Sequence, residues 1–500
     1  MAKRTTPLAE KLFYPAAFFG GLLVGLPHMF AALAPAQALG LGLLFWIFFA
    51  TKPDAGRAVA GGLLFGIAMA TVRVPLNAFT PMATVFFFGL AILLGLLIVL
   101  PLGKFCRLPP LRGALGWAAS VALIDFLHVT FIAPFGTAQA LGLPWVSYPA
   151  LSSFVALWGW ASLALFCTGL GALVALLFFK DARKRALAAL LAWLVVFSGA
   201  GFLYRLSAET GKTVLAHAVG FWSMPLPREV LEAVQKLGTD MDTLPVVEDT
   251  PVFSKKLAQG KEAFLPDKKN TGTAPDAELW VYPEFAFQET RNDYTFLLFE
   301  KMRSRLKANE LVAAPWFDIG LGRNSLSYLS REKQGQAYTK RHLVPHIEKY
   351  NRGAGIPVLE ERNGISFGAL ICHDDNFTEI ANALSARGVQ VVAIPIMDWA
   401  GVEKIHPLSA VLRAMEGRYA VVRAAACSQV AIIRATGQYA ARISAGELKE
   451  QGQAVLTAQI PAGKSRSLYS WWGDIPFLLT GLITVCVVFI PKRKPPQNTR

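Results

Sequence analysis

The chain has 500 residues, of which 54% are hydrophobic and only 17% charged, and its mean hydropathy is +0.41. A single water-soluble domain is excluded, because only a lipid bilayer can bury so much apolar surface. The formal net charge of +15 lies mostly in short loops and not on one face, so it does not indicate a nucleic-acid-binding protein.

Apolar segments predict the membrane spans. Each is long enough for a hydrocarbon core of about 30 Å, which takes roughly 17–25 helical residues. They lie near 12–30, 31–50, 58–79, 83–102, 113–133, 151–179, 186–204 and 474–490. The basic residues before the first segment and the small residues "AALAPAQA" after it are also compatible with a cleavable signal peptide.

The basic residues between the spans predict the topology. They are concentrated in alternate loops and at the end of the chain: Lys3, Arg4, Lys11, Lys52, Arg57, Lys104, Arg107, Arg112, Lys180, Arg183, Lys184, Arg185, Lys492, Arg493 and Lys494. Because cytoplasmic loops are enriched in Lys and Arg, both termini are expected in the cytoplasm. We expect a transmembrane bundle of seven spans over 1–204, an extracytoplasmic domain over 205–473, and a closing span with a basic tail over 474–500.

Polar and aromatic residues near the ends of spans suggest local roles. Asp125 and His128 are three residues apart and share one helix face, so they form either a functional pair or a bond to a neighbouring helix. Trp471 and Trp472 precede the last span and predict an aromatic anchor at the outer interface.

The region outside the membrane alternates between two kinds of segment. Short β-rich runs include "KTVLAHAVG", "ELWVYPE", "ELVAAPWF", "GISFGALIC" and "VQVVAIPI", and helical periodicity occurs in "NFTEIANALSARG" and "HPLSAVLRAMEGRY". Strands separated by helices predict a layered α/β domain. Residues 223–275 are rich in Pro, Lys, Asp and Thr and have little periodicity, so we expect a long excursion over the surface.

Glu284, Lys340 and Cys372 are the candidate catalytic residues. Glu284 and Cys372 end apolar, strand-like runs, and open α/β sheets bind ligands at the carboxyl ends of their strands. The aromatic neighbours of Glu284 are expected to raise the pKa of its carboxyl group, which suits proton transfer. An ammonium such as that of Lys340 favours a thiolate and stabilises an oxyanion. Taken one at a time, the three residues are better interpreted as a cap, a solvated lysine and an inert, packed cysteine.

The ordered trio resembles the Glu-Lys-Cys triad of the nitrilase superfamily. The stretch "YTKRHLVPHIE" is similar to the lysine motif of apolipoprotein N-acyltransferases, and Glu348 matches the essential glutamate of that motif. "GLPWVSYP" resembles a Gly-x-Pro-Trp segment in the membrane part of the same family. The resemblance implies an α-helical polytopic membrane bundle of about eight spans, joined to an α/β nitrilase-like αββα sandwich domain.

The resemblance also implies supporting residues. "LRAMEGRYAVVRAA" is similar to a helix-to-strand segment of the superfamily and gives Arg413 and Glu416 supporting roles. The family usually continues its cysteine with Tyr-Glu, whereas this chain has His373 and Asp374. Asp374 is expected to replace the glutamate with a shorter reach. This departure affects the fit of the second substrate more than the nucleophile.

Tryptophans are candidates for apolar cover. A thioester must be kept from water, and Trp316 and Trp399 are expected to contribute to loops over Cys372. The family carries a further tryptophan on a loop after its first strand, for which Trp222 is the candidate.

The resemblance implies an acyl transfer in two halves through a cysteine thioester. A phospholipid is the expected acyl donor, and the amine of a diacylglyceryl-cysteine apolipoprotein is the expected acceptor. The expected location is the bacterial inner membrane, with the catalytic domain on the periplasmic side. Neither a metal nor another cofactor is expected, since the phospholipid ester is already an activated donor.

Two other functions are compatible with the sequence. A membrane-tethered amidase would use the same triad with water as the acceptor and would release ammonia from a small amide. A transporter or receptor whose outside domain only binds would not need Cys372. A metal site formed by the cysteine and the three residues after it is disfavoured, because adjacent residues of an extended chain point to opposite sides.

Overall fold

The computed structural model describes residues 7–76, 81–222, 275–289, 299–300, 302–318, 321–345, 347–355, 360–399 and 401–489. The expected surface excursion over 223–275 therefore lies outside the described residues, apart from its last position. The basic residues at 492–494 also lie outside them.

The first region is built of apolar helices. Their bounds are Pro7–Met29 (α1), Ala34–Thr51 (α2), Ala55–Arg73 (α3), Pro81–Phe105 (α4), Pro110–Phe131 (α5), Pro149–Ser152 (α6), Val155–Trp158 (α7), Ser162–Leu176 (α8), Arg183–Leu194 (α9) and Ala200–Arg205 (α10). A π-helical turn, Val195–Gly199, joins α9 to α10. Within the described ranges, six helical segments are long and apolar enough to cross a membrane: Pro7–Met29, Ala31–Thr51, Ala55–Arg73, Pro81–Phe105, Pro110–Phe131 and Arg183–Arg205. The chain is a membrane protein, as its composition predicts.

Two predicted spans are shorter than expected. The segment 151–179 is not one helix, because α7 ends at Trp158 and Gly159 has a positive φ of 76° before α8 begins. A side chain at Gly159 would collide with the ring of Tyr469, so this break requires glycine. The closing segment forms the helix Ile475–Phe489, of 15 residues. Both α8 and the closing helix are apolar but shorter than the six long segments.

Glycines let the membrane helices approach closely. A β-carbon on Gly42 of α2 would lie 2.7 Å from the carbonyl oxygen of Gly171 in α8. One on Gly66 of α3 would lie 2.8 Å from the carbonyl oxygen of Ile92 in α4. Because lipid supplies little hydrophobic drive between helices, close backbone packing of this kind stabilises the bundle.

The buried carboxylate of α5 binds the loop that follows this helix. Asp125 accepts the backbone N–H of Leu141 at 3.0 and 3.1 Å from its two oxygens. His128 is buried about one turn further along α5. Asp125 therefore has a structural partner, and a separate function for the pair stays a prediction.

The second region, which we call the outside domain after its expected location, contains thirteen described strands and, before the closing helix, four helices whose bounds are described. The strands are Glu209–Phe221 (β1), Ala277–Val281 (β2), Phe287–Glu289 (β3), Glu310–Asp318 (β4), Arg323–Leu329 (β5), Tyr338–Thr339 (β6), Glu360–Arg362 (β7), Ile365–Ala369 (β8), Val391–Met397 (β9), Ala420–Ala426 (β10), Val430–Ile433 (β11), Tyr439–Ile443 (β12) and Gln453–Gly463 (β13). The helices are Thr378–Ala386 (α11), His406–Gly417 (α12), Ala445–Gln451 (α13), Leu468–Trp472 (α14) and the closing Ile475–Phe489 (α15).

The strands form one sheet with the order β6-β5-β4-β2-β1-β10-β9-β8-β7. Strands β1, β2 and β4 run parallel, and so do β8, β9 and β10. A short parallel pairing at Gly220 and Phe221 joins the two groups. On either side of this junction, β13 pairs with β1 and the β11–β12 hairpin extends β10, all antiparallel.

The sheet curls so that its two halves face each other. The hydroxyl of Tyr328 on β5 donates to the carbonyl oxygen of Gly368 on β8 at 2.6 Å, although these strands are far apart in the sheet order. Apolar residues of both halves, such as Val281 and Phe367, share one buried core. The predicted layered α/β class is therefore confirmed. The curl brings the carboxyl ends of β2, β8 and β9 together.

Candidate active site

Cys372 lies in a tight turn after β8. A 3-10 turn spans Cys372–Asn376, which we call the nucleophile turn. The φ of Cys372 is 46°, in the left-handed region that residues other than glycine rarely adopt. Its thiol is buried and donates to the carbonyl oxygen of Met397 at 3.7 Å. Backbone outliers of this kind cluster at functional sites, which supports the prediction of a nucleophile here.

Glu284 lies just past the end of β2 and is 1% exposed. Its Oε1 accepts from Asn324 Nδ2 at 2.6 Å and from Lys340 Nζ at 2.8 Å, and its Oε2 accepts from the backbone N–H of Met397 at 3.1 Å. Met397 thus offers its N–H to Glu284 and its carbonyl to Cys372. The end of β9 therefore holds the carboxylate and the thiol side by side.

Lys340 is buried between two carboxylates. Its Nζ donates to Glu284 at 2.8 Å and to Glu348 at 2.7 Å. The other oxygen of Glu348 accepts the backbone N–H of Val344 at 2.7 Å, and the backbone N–H of Lys340 donates to the carbonyl of Asn324 at 2.8 Å. Because the ammonium and both carboxylates are hydrogen-bonded, they can stay charged although buried.

The charges of the trio act on one another. Burial and the negative charge of Glu284 raise the pKa of Cys372 well above its ordinary value, while Lys340 acts in the opposite direction. Burial also raises the pKa of Glu284, against the lowering effect of Lys340. For Lys340, burial lowers the pKa, but Cys372 and the carboxylates outweigh it and raise the pKa well above its ordinary value. The resting site thus holds a neutral thiol, which becomes a thiolate only if its proton moves to a base.

Asp374 connects the nucleophile turn to residues 338–345 around Lys340, which we call the lysine segment. It is fully buried, and its Oδ1 accepts the backbone N–H groups of Arg341 and His342 at 3.1 and 2.8 Å. Its Oδ2 accepts the hydroxyl of Tyr338 at 2.8 Å. Because these residues flank Lys340, Asp374 fixes the position of the lysine relative to the turn.

His373 faces the membrane region. Its Nε2 donates to the carbonyl oxygen of Pro134 at 3.2 Å, and its Nδ1 accepts from Asn376 Nδ2 at 3.0 Å. The ring of Phe135 packs edge-on against it, with centroids 5.6 Å apart. Burial lowers the pKa of His373 well below its ordinary value, which keeps the ring neutral.

Residues 134–137, which we call the membrane-side loop, follow α5 and contact the nucleophile turn. The hydroxyl of Thr137 donates to the carbonyl oxygen of Asn376 at 2.9 Å and accepts from Arg413 Nη2 at 2.9 Å. Gly136 has a φ of 50°, and a β-carbon there would lie 2.5 Å from the same Asn376 oxygen. The close approach of loop and turn therefore requires glycine at this position.

Arg413 and Glu416 lie at the junction between the two regions. Both are buried in α12 and form an ion pair at 2.6 Å, and Arg413 also binds Thr137. Burial raises the pKa of Glu416 to about 7, although Arg413 lowers it. Their described contacts therefore join the outside domain to the membrane region.

Trp399 follows β9 and contributes to an apolar cluster beside the site. Its ring lies 6.0 Å from that of Phe135, and the cluster also contains Phe87 of α4 and Val344 of the lysine segment. A role of Trp399 in keeping water from Cys372 stays a prediction.

Trp316 and Trp222 lie elsewhere. Trp316 packs with Trp280 and Phe287 on the sheet face that points away from the inner core, and its Nε1 donates to Ser327 at 3.3 Å. The structure does not bring Trp316 to the trio, because it occupies the outward positions of β4. Trp222 follows β1, and its described ring contact is with the ammonium of Lys449, 5.5 Å away.

Sequence reasoning missed Asn324, the residue that bridges the site from β5. Its Nδ2 donates to Glu284 and, at 3.3 Å, to the hydroxyl of Tyr350. Nothing in the pattern "RNSLSYL" distinguishes this asparagine from a surface residue.

Sequence reasoning also missed a row of four buried charges beside Cys372. The row comprises Asp375, His406, Asp398 and Arg423. Asp398 follows β9 much as Cys372 follows β8, so the strand-end pattern offered a signal for this one member.

Three residues of the site lie close enough together to be considered as metal ligands. One ligand atom each from Cys372, Asp398 and His406 lies within 4.8 Å of the other two. Both ring nitrogens of His406, however, already face carboxylate oxygens, at 2.6 and 2.7 Å. Burial lowers the pKa of His406, but Asp375 and Asp398 raise it to about 10. A ring protonated on both nitrogens has no lone pair for a metal, so the residues fit a charge network better than a metal site.

Comparisons with known proteins cover parts of the chain. Residues 317–469 match the carbon-nitrogen hydrolase family. Apolipoprotein N-acyltransferase 1 of Treponema pallidum (strain Nichols) is 33% identical over 122 residues, which are 23% of this chain and 21% of that protein. The chain therefore matches about a fifth of the length of this curated relative.

Solved structures of the nitrilase superfamily also match. A mutant of the amidase from Nesterenkonia AN1 is 14% identical with a TM-score of 0.33, and the match covers 54% of this chain and 97% of that one. Nit3 of Saccharomyces cerevisiae is 13% identical with a TM-score of 0.34, covering 53% of this chain and 95% of that one.

The family match and the curated relative confirm the resemblance found in the sequence. Residues 317–469 are similar to the carbon-nitrogen hydrolase family, and a stretch of 122 residues is similar to an apolipoprotein N-acyltransferase. Lys340 and Cys372 lie inside the matched residues, whereas Glu284 precedes them. The catalytic roles of the three residues stay predictions, and the case for Glu284 depends on its geometry.

Proposed function

We propose that this protein transfers an acyl chain from a phospholipid, through a thioester on Cys372, to the N-terminal amine of a diacylglyceryl-cysteine apolipoprotein. The observation that carries the proposal is that Met397 at the end of β9 bonds both Glu284 and Cys372, while Lys340 bonds Glu284. The turn that holds Cys372 is itself bonded to the membrane region. The contacts support a nucleophile with a base, and the turn's position supports a lipid substrate.

In the first half of the reaction, Glu284 accepts the proton of the Cys372 thiol as the sulfur attacks the ester carbonyl of the phospholipid. A base is needed because the buried thiol is protonated at rest. Lys340 uses two of its three N–H bonds on carboxylates among the described residues and directs positive charge at the developing oxyanion. The ester C–O bond then breaks, and Glu284 returns the proton to the lysophospholipid oxygen.

In the second half, the free amine of the apolipoprotein attacks the thioester carbonyl. Glu284 accepts a proton from the amine and passes it to the sulfur as the C–S bond breaks. The products are an N-acylated lipoprotein and the regenerated thiol, so the kinetics are ping-pong.

The membrane bundle suits this substrate pair. Both substrates keep acyl chains in the bilayer, where each buried methylene contributes about 0.8 kcal/mol, so a soluble enzyme would have to extract them. The cluster of Phe87, Phe135, Val344 and Trp399 packs α4 against the segments that carry Lys340 and the end of β9. This apolar packing beside the trio is compatible with a substrate whose acyl chains stay in the membrane.

The topology is part of the proposal. We infer that both termini are cytoplasmic and that the domain over 205–473 lies on the periplasmic side of a bacterial inner membrane. The basic loop at Arg107 and Arg112 precedes α5, and the membrane-side loop follows the other end of this helix. A domain in contact with that loop agrees with the side assigned from the basic residues.

The test is the intact mass of the full chain in detergent after incubation with a phospholipid of defined acyl chains. We expect a mass gain of one acyl chain that hydroxylamine removes and that is absent in Cys372→Ser. Adding a diacylglyceryl-cysteine lipopeptide should discharge the adduct and add the same mass to the peptide.

Cys427→Ser is the matched control, since Cys427 also follows a strand end and also has a positive φ, of 57°. This variant should still form the adduct. The proposal is wrong if no adduct forms under any condition, and ammonia release from small amides without an adduct would indicate the amidase instead.

A further inference from the structure

A continuous row of alternating charges is buried behind the nucleophile. His406 donates from Nε2 to Asp375 at 2.7 Å and from Nδ1 to Asp398 at 2.6 Å. Arg423 donates to the second oxygen of Asp398 at 2.8 Å. All four side chains are at most 5% exposed. Because the two anions and two cations balance, the row is neutral as a whole.

The row connects the two segments that hold the reacting groups. Asp375 belongs to the nucleophile turn, three residues after Cys372. Asp398 directly follows Met397, whose backbone binds both Glu284 and the Cys372 thiol. His406, the first residue of α12, is the link between these segments.

The row also affects the charge near the sulfur. The nearest atoms of Asp398 and His406 lie within 4.8 Å of Cys372 Sγ. The carboxylate of Asp398 alone would oppose a thiolate at this distance. The cations of His406 and Arg423 counter it, and they lower the pKa of Asp398 although burial acts to raise it.

We propose that His406 is a positioning residue, which holds the nucleophile turn against the end of β9 and neutralises the charge of Asp398 next to the sulfur of Cys372. The proposal rests on the proposed function for the identity of the nucleophile. Nothing in the reaction itself passes through His406.

Other titratable groups surround Cys372 and His406. Around Cys372 they are Glu284, Lys340, Glu348 and Asp398. His373 lies near His406, Tyr419 lies near its partner Asp375, and Arg423 pairs with its other partner, Asp398. Of these, only Asp398 contacts both Arg423 and His406, so it is the charge that His406 controls.

The experiment measures thiolate formation directly, without acyl transfer. The full chain in detergent is treated with iodoacetamide at about pH 8, and the rate of alkylation at Cys372 is followed by mass spectrometry of its peptide. In His406→Gln the unmasked Asp398 should raise the thiol pKa by about one unit or more, so the rate should fall about tenfold or more.

Asp398→Asn supplies a prediction of opposite sign. It leaves the His406 cation without one of its carboxylates, so alkylation of Cys372 should become faster than in the unmodified protein. The double variant His406→Gln/Asp398→Asn should return toward the original rate, a rescue that a purely structural role of His406 does not produce.

His217→Gln is the matched control, because His217 is also buried and also bonds a carboxylate, that of Glu278 at 3.1 Å. It should leave the alkylation rate unchanged.

An unchanged rate in His406→Gln, or no rescue in the double variant, would overturn the proposal. If His406→Gln does not fold, an Asp398→Asn rate equal to or below the original overturns it. A failed acyl-adduct test together with these rate changes would reject the proposed function alone.

Discussion

The lysine side and the cysteine side of the candidate site are held in different ways. The hydrogen bonds described for Lys340 and Glu284 come from within the outside domain, through Asn324, Glu348 and Met397. The nucleophile turn, in contrast, is also bonded to the membrane-side loop at two points.

Under the proposed function, this difference separates the residues that carry the chemistry from those that place the cysteine next to the membrane region. A soluble enzyme with the same trio needs only the first kind of support. Here the turn that carries Cys372 is positioned partly by the loop after α5, so the orientation of the domain on the bilayer and the geometry of the nucleophile are set by the same contacts. Variants on the lysine side should therefore lose acid–base and oxyanion chemistry, whereas variants on the cysteine side should lose the accurate placement of the sulfur.

The largest effect on activity is expected for Glu284→Gln. The amide cannot accept the thiol proton, so acyl transfer should fall by about 10²–10⁴-fold. Transfer of a labelled acyl chain to a lipopeptide is the measurement. Glu361→Gln, on the surface strand β7, should keep full activity. A Glu284→Gln variant as active as the original would mean that another group takes the proton.

Lys340→Met should lower both activity and stability. It removes the oxyanion partner, at about 10²–10³-fold in rate. It also leaves Glu284 and Glu348 buried without their cation, which costs about 3–5 kcal/mol in the free energy of unfolding. Lys333→Met is the control, because Lys333 also pairs with a buried glutamate, Glu360, but is itself 62% exposed, whereas Lys340 is fully buried. Equal melting temperatures for the two variants would contradict the buried pair.

Thr137→Val tests the cysteine side. The change removes one hydrogen bond to the nucleophile turn and one from Arg413, worth about 1–3 kcal/mol together. We expect roughly tenfold slower transfer because the sulfur is held less accurately. Thr51→Val also removes a buried hydroxyl, but that hydroxyl bonds only within its own helix, to Ile47. Equal transfer rates in the two variants would mean that the membrane-side loop does not position the turn.

The smallest effect is expected at the junction, as a dependence of stability on pH. Burial raises the pKa of Glu416 from 4.5 to about 7 in the folded protein, against the lowering effect of Arg413. The folded state therefore binds the proton more tightly than the unfolded state. The contribution of Glu416 to the free energy of unfolding is present below about pH 4.5 and is lost as the pH rises through about 7. The loss is on the order of 1–3 kcal/mol. Melting temperatures at about pH 5 and about pH 8 should differ more in the original protein than in Glu416→Gln, and an identical difference would reject this assignment.

The sequence predicted those features that a local pattern carries. Cys372 and Glu284 each end an apolar strand, and parallel strands bring such ends to one edge of a sheet. Three strands separate β2 from β8 in the sheet order, so the meeting of the two residues also depends on the curl, which no local pattern carries. The alternation of strands and helices predicted the layered domain. The break at Gly159 was not foreseeable from hydropathy, because the apolar run continues through it and only the contact with Tyr469 requires the turn.

Features that depend on tertiary packing were missed. Residues alternate faces along β4, but the sequence does not say which face is inner, and Trp316 proved to be on the outer one. The four charges behind Cys372 come from four separate segments of the chain and look like ordinary turn, helix and strand residues. They touch because β8, β9 and β10 are neighbours in the sheet, an order that the sequence does not reveal.

The contact between Gly136 and Asn376 has a consequence for any attempt to shorten the protein. A fragment that starts at β1 would keep Glu284, Lys340 and Cys372, yet Asn376 would lose the hydroxyl of Thr137, and His373 would lose its carbonyl acceptor. We expect such a fragment to hold Cys372 less firmly in position. The membrane-side loop therefore supplies atoms that hold the turn of Cys372, and a version without the membrane helices would first have to replace them.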